Sequence, residues 1–371
     1  MSRYTQALIS LPNLRHNIDV LRRHLATGTE YLAIVKANAY GHGMEQVARC
    51  ALSHGAAMLG VAFFEEGLRL RRAGIQAPIL LLGACEADNF EAAIAHDLTL
   101  TVFDVETLHK LQHCAKQLGK TCHIHIKVDT GMRRIGFVTH EAFSAALDAL
   151  RTCPHVALLG LFTHFATSES EDQQFTLLQG ERFRSFVAIV HAQGFRPLIH
   201  AANSGAILGQ PDLQFDMVRG GIAMYGYHPI GHSVESVPLK PVLSLVTRIV
   251  MIKDLAPGEG VSYGLTFVAQ RRMRIATLPV GYGDGYPRLL SNRASVLVHG
   301  VRVPQIGTIC MDQMLIDISH IPDAATWDEV VLIGTQGKEQ ITADEIASLT
   351  GTISYEILLG IDLRVPRIYI E

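Results

Sequence analysis

No block of like charge stands out in this 371-residue sequence, where 32 Lys and Arg oppose 35 Asp and Glu. That argues against nucleic acid or an anionic membrane as partner and leaves a small ligand. No run approaches the ~20 consecutive apolar residues of a membrane span. Met1 to Leu11 (MSRYTQALISL) also has no apolar core long enough for a signal peptide, so a soluble, cytoplasmic protein is expected. Cys50, Cys85, Cys114, Cys122, Cys153 and Cys310 form no C-x-x-C pair. Neither a disulfide framework nor a zinc site is indicated, and free thiols fit a reducing compartment. Internal repeats and low-complexity tracts are absent, as is a G-x-G-x-x-G after the first strand-like run, which disfavours a doubly wound nucleotide-binding sheet.

Apolar residues make up 48% of the chain, enough for a large barrel plus a second domain. Strand-like runs occur at Tyr31 to Val35, Met58 to Ala62, Ile79 to Gly83, Leu98 to Phe103, His123 to Val128, Ala157 to His164, Leu198 to Asn203 and Met217 to Ile222. Amphipathic stretches alternate with them: Glu65 to Ala73, Glu91 to His96, Glu106 to Leu118, Glu141 to Leu150 and Gln173 to Gln193. This is the pattern of a (β/α)8 barrel over residues 1–230, preceded by a short alternating segment at Ala7 to Leu11 whose strand is open to joining the second domain. Tyr227 to Pro241, rich in Gly, Ser and Pro, suits a linker. Beyond it, residues 231–371 read as a mostly β domain. Its strand-like runs are Leu243 to Leu255, Met273 to Pro279, Ala294 to Val303, Met314 to Ile318, Val330 to Ile333 and Val365 to Ile370, with one short helix at Thr342 to Leu349.

The stretch AIVKANAYGHG, Ala33 to Gly43, places Lys36 where the first strand ends. An ammonium drawn out of water becomes a nucleophilic amine, as Schiff-base chemistry requires. If the chain enters a helical turn, Tyr40 shares a face with Lys36. A lysine closing a strand edge at the surface is the equally open alternative. In a barrel the loops after each strand form the active face. Collected there are Lys36, the segment Lys127 to Arg134 (KVDTGMRR), His164, then His200, Asn203 and Ser204, and finally Arg219 with Gly220, Gly221 and Ile222. Paired glycines at a strand end let backbone N–H groups approach an anion. A lysine, a phosphate cradle and two arginines in one mouth suggest pyridoxal 5′-phosphate.

AIVKANAYGHG, KVDTGMRRIG, ANSGA, DMVRGGIAMYG, VSYG, VGYGDGYPR, GTICMDQM, TISYE and RVPR occur in this order over essentially the whole chain. With them the sequence resembles the alanine racemases of the pyridoxal-phosphate barrel type. The resemblance implies a homodimer interconverting L- and D-alanine for peptidoglycan. Lys36 would hold the cofactor and serve as base on one face of Cα, with Tyr263 from the partner subunit serving the other. His164 would neighbour Tyr263 and link onward to Arg219 and His200, and Arg219 would face the pyridine nitrogen. Tyr40, Asn203, Ser204, Gly221, Ile222 and Tyr355 would bind the cofactor. Arg134 and the Met311 backbone would hold the substrate carboxylate, with Asp312 and Tyr282 on the entrance side. Lys127 would be carbamylated and brace Arg134. Arg133 stands where many relatives carry glycine.

Plainer readings sit beside these. His123 and His125 alternate on one strand, but no third ligand with metal spacing is visible, so barrel-filling roles are favoured and no metal is expected. Cys310 reads as a small filler. Taken alone, Tyr263 reads as a surface-loop tyrosine and His164 as a satisfied core histidine. A racemase of other specificity, a decarboxylase on the same barrel, and a cofactor carrier without turnover are the rivals. Carriers lack the second domain, and an arginine at position 219 speaks against the decarboxylase.

Overall fold

The computed structural model describes residues 3–229 and 237–371. The chain divides into two compact units, one of Leu14–Ala39 and Met44–Lys240, the other of the residues up to Asn13, Tyr40–Gly43 and Pro241–Glu371. The expected boundary at residues 230 and 231 falls outside the described residues, as does part of the linker.

Strand β1 (Gln6–Ser10) belongs to the second unit. The first unit is built on β2 (Glu30–Ile34), β3 (Met58–Val61), β4 (Ile79–Leu81), β5 (Leu100–Val102), β6 (Cys122–Lys127), β7 (Val156–Phe162), β8 (Leu198–His200) and β9 (Met217–Gly220). Every strand-like run of the first 230 residues forms one of these. Their runs are nearly continuously apolar because a parallel strand inside a ring of helices is buried on both faces. All pair in parallel in the order β4-β3-β2-β9-β8-β7-β6-β5. The ring closes at a Leu80–Thr99 bridge, where the Leu81 N–H donates to the Thr99 carbonyl at 2.9 Å.

Helices between the strands start and stop on local signals. Val105–Leu118 begins where the Asp104 carboxylate accepts the Thr107 N–H at 2.7 Å, and ends at Gly119 with φ +61°. One irregularity in the barrel matters for the site. The register of β6 against β7 slips between Ile124 and His125, which sets Gly160 opposite His125. A Cβ on Gly160 would lie 2.4 Å from the His125 ring, so only glycine leaves room for that imidazole inside the barrel.

The second unit is mainly one sheet. In space its strands run Met251–Leu255, Met273–Leu278, Met314–Asp317, Val301–Ile306, Ser295–Val298, Glu329–Gln336, β10 (Leu243–Arg248), β1, then Arg367–Ile370. β1 pairs antiparallel with β10 and parallel with Arg367–Ile370, so the two ends of the chain meet in this sheet.

Three expectations need correction. The run Leu243 to Leu255 is two strands, separated at Ile249 and Val250, because its residues pair with different neighbours. Among its described residues the second unit has a second short α-helix, Ser354–Gly360, after Ala343–Thr350; it has no side-chain cap that a sequence pattern would flag. Finally, the segment after Lys36 turns with the opposite hand. Ala37, Asn38, Ala39 and Tyr40 have φ of 51°, 52°, 55° and 52°, a left-handed turn made without glycine. The same-face argument for Tyr40 assumed a right-handed turn and does not apply.

Candidate active site

A left-handed turn of L-residues costs about 1–2 kcal/mol per residue, so it persists only where neighbours enforce it. Here the enforcing contacts are specific. The Ala39 N–H donates to the Val35 carbonyl at 2.8 Å, and the Ala37 N–H donates to Glu66 Oε1 at 2.5 Å. Asn38, a residue that tolerates this conformation, accepts the Met44 N–H through Oδ1 at 3.1 Å. Glu66 also accepts the Ala62 N–H at 2.7 Å, so one carboxylate ties the ends of β2 and β3 together. Lys36 leaves β2 at this point. Burial and the positive charge of Arg134 depress its amine pKa; Glu66 opposes them, and Arg219 adds to the depression. The amine is therefore held closer to its nucleophilic form than a surface lysine.

Arg219 is the hub of the mouth. Its Nη1 lies 3.0 Å from His200 Nδ1, and its Nη2 donates to the carbonyls of Thr163 at 2.8 Å and Ala201 at 2.7 Å and meets His164 Nδ1 at 3.1 Å. A guanidinium has only donors, so both facing imidazole nitrogens must accept, which assigns the protons of His164 and His200 to Nε2. His200 Nε2 then donates to His125 Nδ1 at 2.9 Å. Burial first, and Arg219 second, push His164 and His200 well below the usual histidine range and His125 down to about 3. All three are neutral at physiological pH. Burial and Arg134 bring Arg219 itself to about 9, still charged at pH 7. Its Nε–H makes no hydrogen bond among the described residues.

Lys127 is 3% exposed, and its Nζ lies 4.4 Å above the Phe162 ring, which stacks in turn on His200 at 4.7 Å. Burial, Arg219 and Arg134 all lower its pKa well below that of a free amine, against a weaker pull from Asp129. Asp129 shapes the following loop by accepting the N–H groups of Gly131 at 2.8 Å, Arg133 at 3.0 Å and Arg134 at 2.9 Å. Arg133 has φ +57°, so the loop keeps a left-handed position of the kind that glycine fills most easily, with an arginine in it.

At the end of β9, a Cβ on Gly220 would fall 1.8 Å from the Tyr31 hydroxyl, so the strand can pass this point only as glycine. Gly221 and Ile222 lie just past the strand end rather than within it. The N–H groups of Gly221 and Ala223 donate to Ser204 Oγ at 3.0 and 3.3 Å. Asn203 caps the helix Ser204–Gly209; its Oδ1 accepts the Ala206 N–H at 3.2 Å and the Ser168 hydroxyl at 2.7 Å.

The remaining candidates belong to the second unit. The rings of Tyr40 and Tyr355 lie 5.9 Å apart. Asp312 pairs with Arg364 at 2.8 Å, which also holds the buried Asp284 at 2.9 Å. Tyr282 and Met311 are exposed, and Tyr263 is 72% exposed. The first unit thus gathers Lys36, Lys127, His164, His200 and Arg219 around common partners. Sequence reasoning passed over Glu66 and the bond from His200 to His125. Glu66 carried no signal; for His125 the hint was its alternation with His123, which also fits metal binding.

These observations define a (β/α)8-barrel enzyme with a buried cationic and imidazole network at the C-terminal ends of its strands. Residues 9–229 match the family "Alanine racemase, N-terminal domain" and residues 242–369 match "Alanine racemase, C-terminal domain". The alanine racemase of Symbiobacterium thermophilum is 46% identical over 99% of this chain and 97% of its own length, and that of Desulfovibrio desulfuricans is 44% identical over 98% of each. Among solved structures, the alanine racemase of Clostridium difficile superposes with a TM-score of 0.95 at 37% identity, covering 100% of this chain and 97% of that one. The Bacillus anthracis enzyme with bound L-Ala-P superposes with a TM-score of 0.94 at 38% identity, covering 100% and 96%. The chain belongs to the alanine racemase family.

Proposed function

We propose that the chain interconverts L- and D-alanine using pyridoxal 5′-phosphate, as a cytoplasmic homodimer that shares its active sites between subunits and supplies D-alanine for peptidoglycan. The placement of Lys36 just past the end of β2, where burial and the charges of Arg134 and Arg219 depress its amine, carries this reading. The donor set suits the cofactor. Lys36 offers an amine for its aldehyde, and the Nε–H of Arg219 is available for a ring nitrogen that accepts. Tyr40, Asn203, Ser204, Gly221, Ile222 and Tyr355 are assigned to holding the cofactor, chiefly its phosphate. When bound, the cofactor supplies an electron-poor ring that makes the α-hydrogen of an attached amino acid acidic.

The chain's own groups then handle the proton. Inverting a carbon needs one group to take the proton from one face and another to give one back on the opposite face. Lys36 Nζ serves the first face and Tyr263 of the partner subunit the second. His164, neutral and protonated at Nε2, is the neighbour assigned to that phenol. Arg219 has no acceptor and stays charged, so it withholds a proton from the ring nitrogen; a carboxylate there would supply one and favour decarboxylation. Arg134 and the backbone N–H of Met311 of the partner subunit hold the substrate carboxylate, with the partner subunit's Asp312 and Tyr282 at the entrance.

Loss of optical rotation from L-alanine without gas release tests the reaction; gas release, or no loss of rotation, would overturn it. In Tyr263→Phe, solvent-hydrogen exchange should persist in one enantiomer and stop in the other. Equal loss from both would contradict the two-face scheme. Lys127 is proposed to be carbamylated: its neutral amine adds carbon dioxide and releases a proton, which leaves an anion with two acceptor oxygens under the positive charge of Arg219 and Arg134. A high-resolution density map should show the added carboxylate, and a bare ammonium beside a bound chloride would count against it.

A further inference from the structure

The most strained residue beside any proposed catalytic group is Ser262, immediately before Tyr263. Its φ of 64° with ψ −175° combines a positive φ with an extended ψ, a region occupied almost only by glycine. Gly264 and Leu265 follow with φ of 74° and 46°. These residues form the tip between the short strands Gly260–Val261 and Phe267–Val268, which pair antiparallel. The base of the hairpin is anchored, since Val261 and Ala269 sit in a buried cluster with Leu255, Met273, Ile275 and Ile306. At the tip, the Tyr263 phenol makes no hydrogen bond among the described residues, so the backbone beneath it sets its aim.

Thr308 holds that backbone on both sides. Its carbonyl accepts the Ser262 hydroxyl, and its own hydroxyl donates to the Tyr263 carbonyl at 2.8 Å. The Ser262 hydroxyl also lies 3.4 Å from Cys310 Sγ, and Thr308 Oγ1 lies 3.2 Å from Thr266 Oγ1. A Cβ on Gly307 would come within 3.0 Å of Ser262 Cβ, so the two segments are pressed together. Glycine at 262 would relieve the strain, but it would also remove the hydroxyl that ties the tip down.

We infer that Ser262 and Thr308 form a clamp that aims the Tyr263 phenol at the substrate carbon in the partner subunit's site. This rests on the reading of Tyr263 as the second proton-transfer group. Both clamp residues are positioning residues. A misplacement of about 1 Å at a reacting group lowers rate by about 100-fold, so a loosened tip slows the reaction even when the phenol is intact.

The test uses cofactor-loaded enzyme with Ser262→Gly, Thr308→Val and Thr308→Ser. Ser262→Gly and Thr308→Val should slow racemisation by about 10- to 100-fold. In both, solvent-hydrogen exchange should persist in the same enantiomer as in Tyr263→Phe, and Thr308→Ser should restore most of the rate. Amide hydrogen exchange over residues 260–268 should quicken in cofactor-free Thr308→Val. The melting temperature of Ser262→Gly should stay within about 2 °C of the parent, because strain relief offsets the lost hydrogen bond. Rates within about twofold of the parent, or equal loss of exchange from both enantiomers, would overturn the clamp. Symmetric exchange in Tyr263→Phe would instead remove the assignment of Tyr263 on which the clamp depends.

Discussion

Lys36→Ala is expected to lower racemisation by more than about 10⁴-fold, because two contributions disappear together. Positioned proton transfer by a side chain is worth about 10²–10⁴, and the same amine is the proposed attachment point of the cofactor. An absorbance band near the visible in the purified native protein should vanish with it. The fold should survive the change. The ammonium form of Lys36 is disfavoured by burial and by Arg134, so removing it relieves an electrostatic cost. A melting temperature near that of the parent, together with lost turnover and a lost band, is the expected combination. A variant that keeps the band, or more than a few per cent of the turnover, would refute the assignment.

Acid should unfold the barrel unit steeply below pH 6.5. His125 and His200 are buried and His164 is half-buried; all three are neutral, each with a folded-state pKa below its ordinary value, His125 at about 3. Between the folded and unfolded pKa values the unfolded chain binds more protons, so stability is full above about 6.5 and falls as pH drops. Each such histidine contributes a slope of about 1.4 kcal/mol per pH unit, or about 4 for the three together. The first cause is the loss of water around the three rings, and the second is the charge of Arg219, which repels a proton on any of them. Denaturant unfolding at a series of pH values between 7 and 5 measures the slope. His125→Phe should reduce it by about one proton, whereas an unchanged slope would mean that His125 does not titrate in this window.

Much of the barrel was legible because parallel strands buried on both faces must be apolar throughout, and the helices covering them must be amphipathic. Both periodicities survive in a one-dimensional string. Lys36, His164 and Arg219 could be collected for a related reason, since a polar residue at the end of an apolar strand has few places to go but the mouth of the barrel. The pattern failed where conformation depends on distant partners. The segment ANAY reads as an ordinary turn, yet it winds left-handed because Glu66 and the carbonyl of Val35 receive its N–H groups. The bond from His200 to His125 depends on a register slip between β6 and β7 and on a missing side chain at Gly160. Ser262 looks unremarkable in VSYG, and its strain exists only against Thr308 and Gly307.

By itself, the sequence determined the alternation of eight strands with helices, the mostly β character of the C-terminal third, and the polar residues delivered to the strand ends. All three come from hydrophobic periodicity, which each segment carries alone. Tertiary structure alone decided the hand of the turn after Lys36, the tautomers of three histidines, the depressed pKa values of Lys36 and Lys127, and the strained backbone under Tyr263. Each of these depends on the distance between groups far apart in the chain, on how much water is excluded around them, and on which carbonyls and carboxylates are near enough to accept a proton donor.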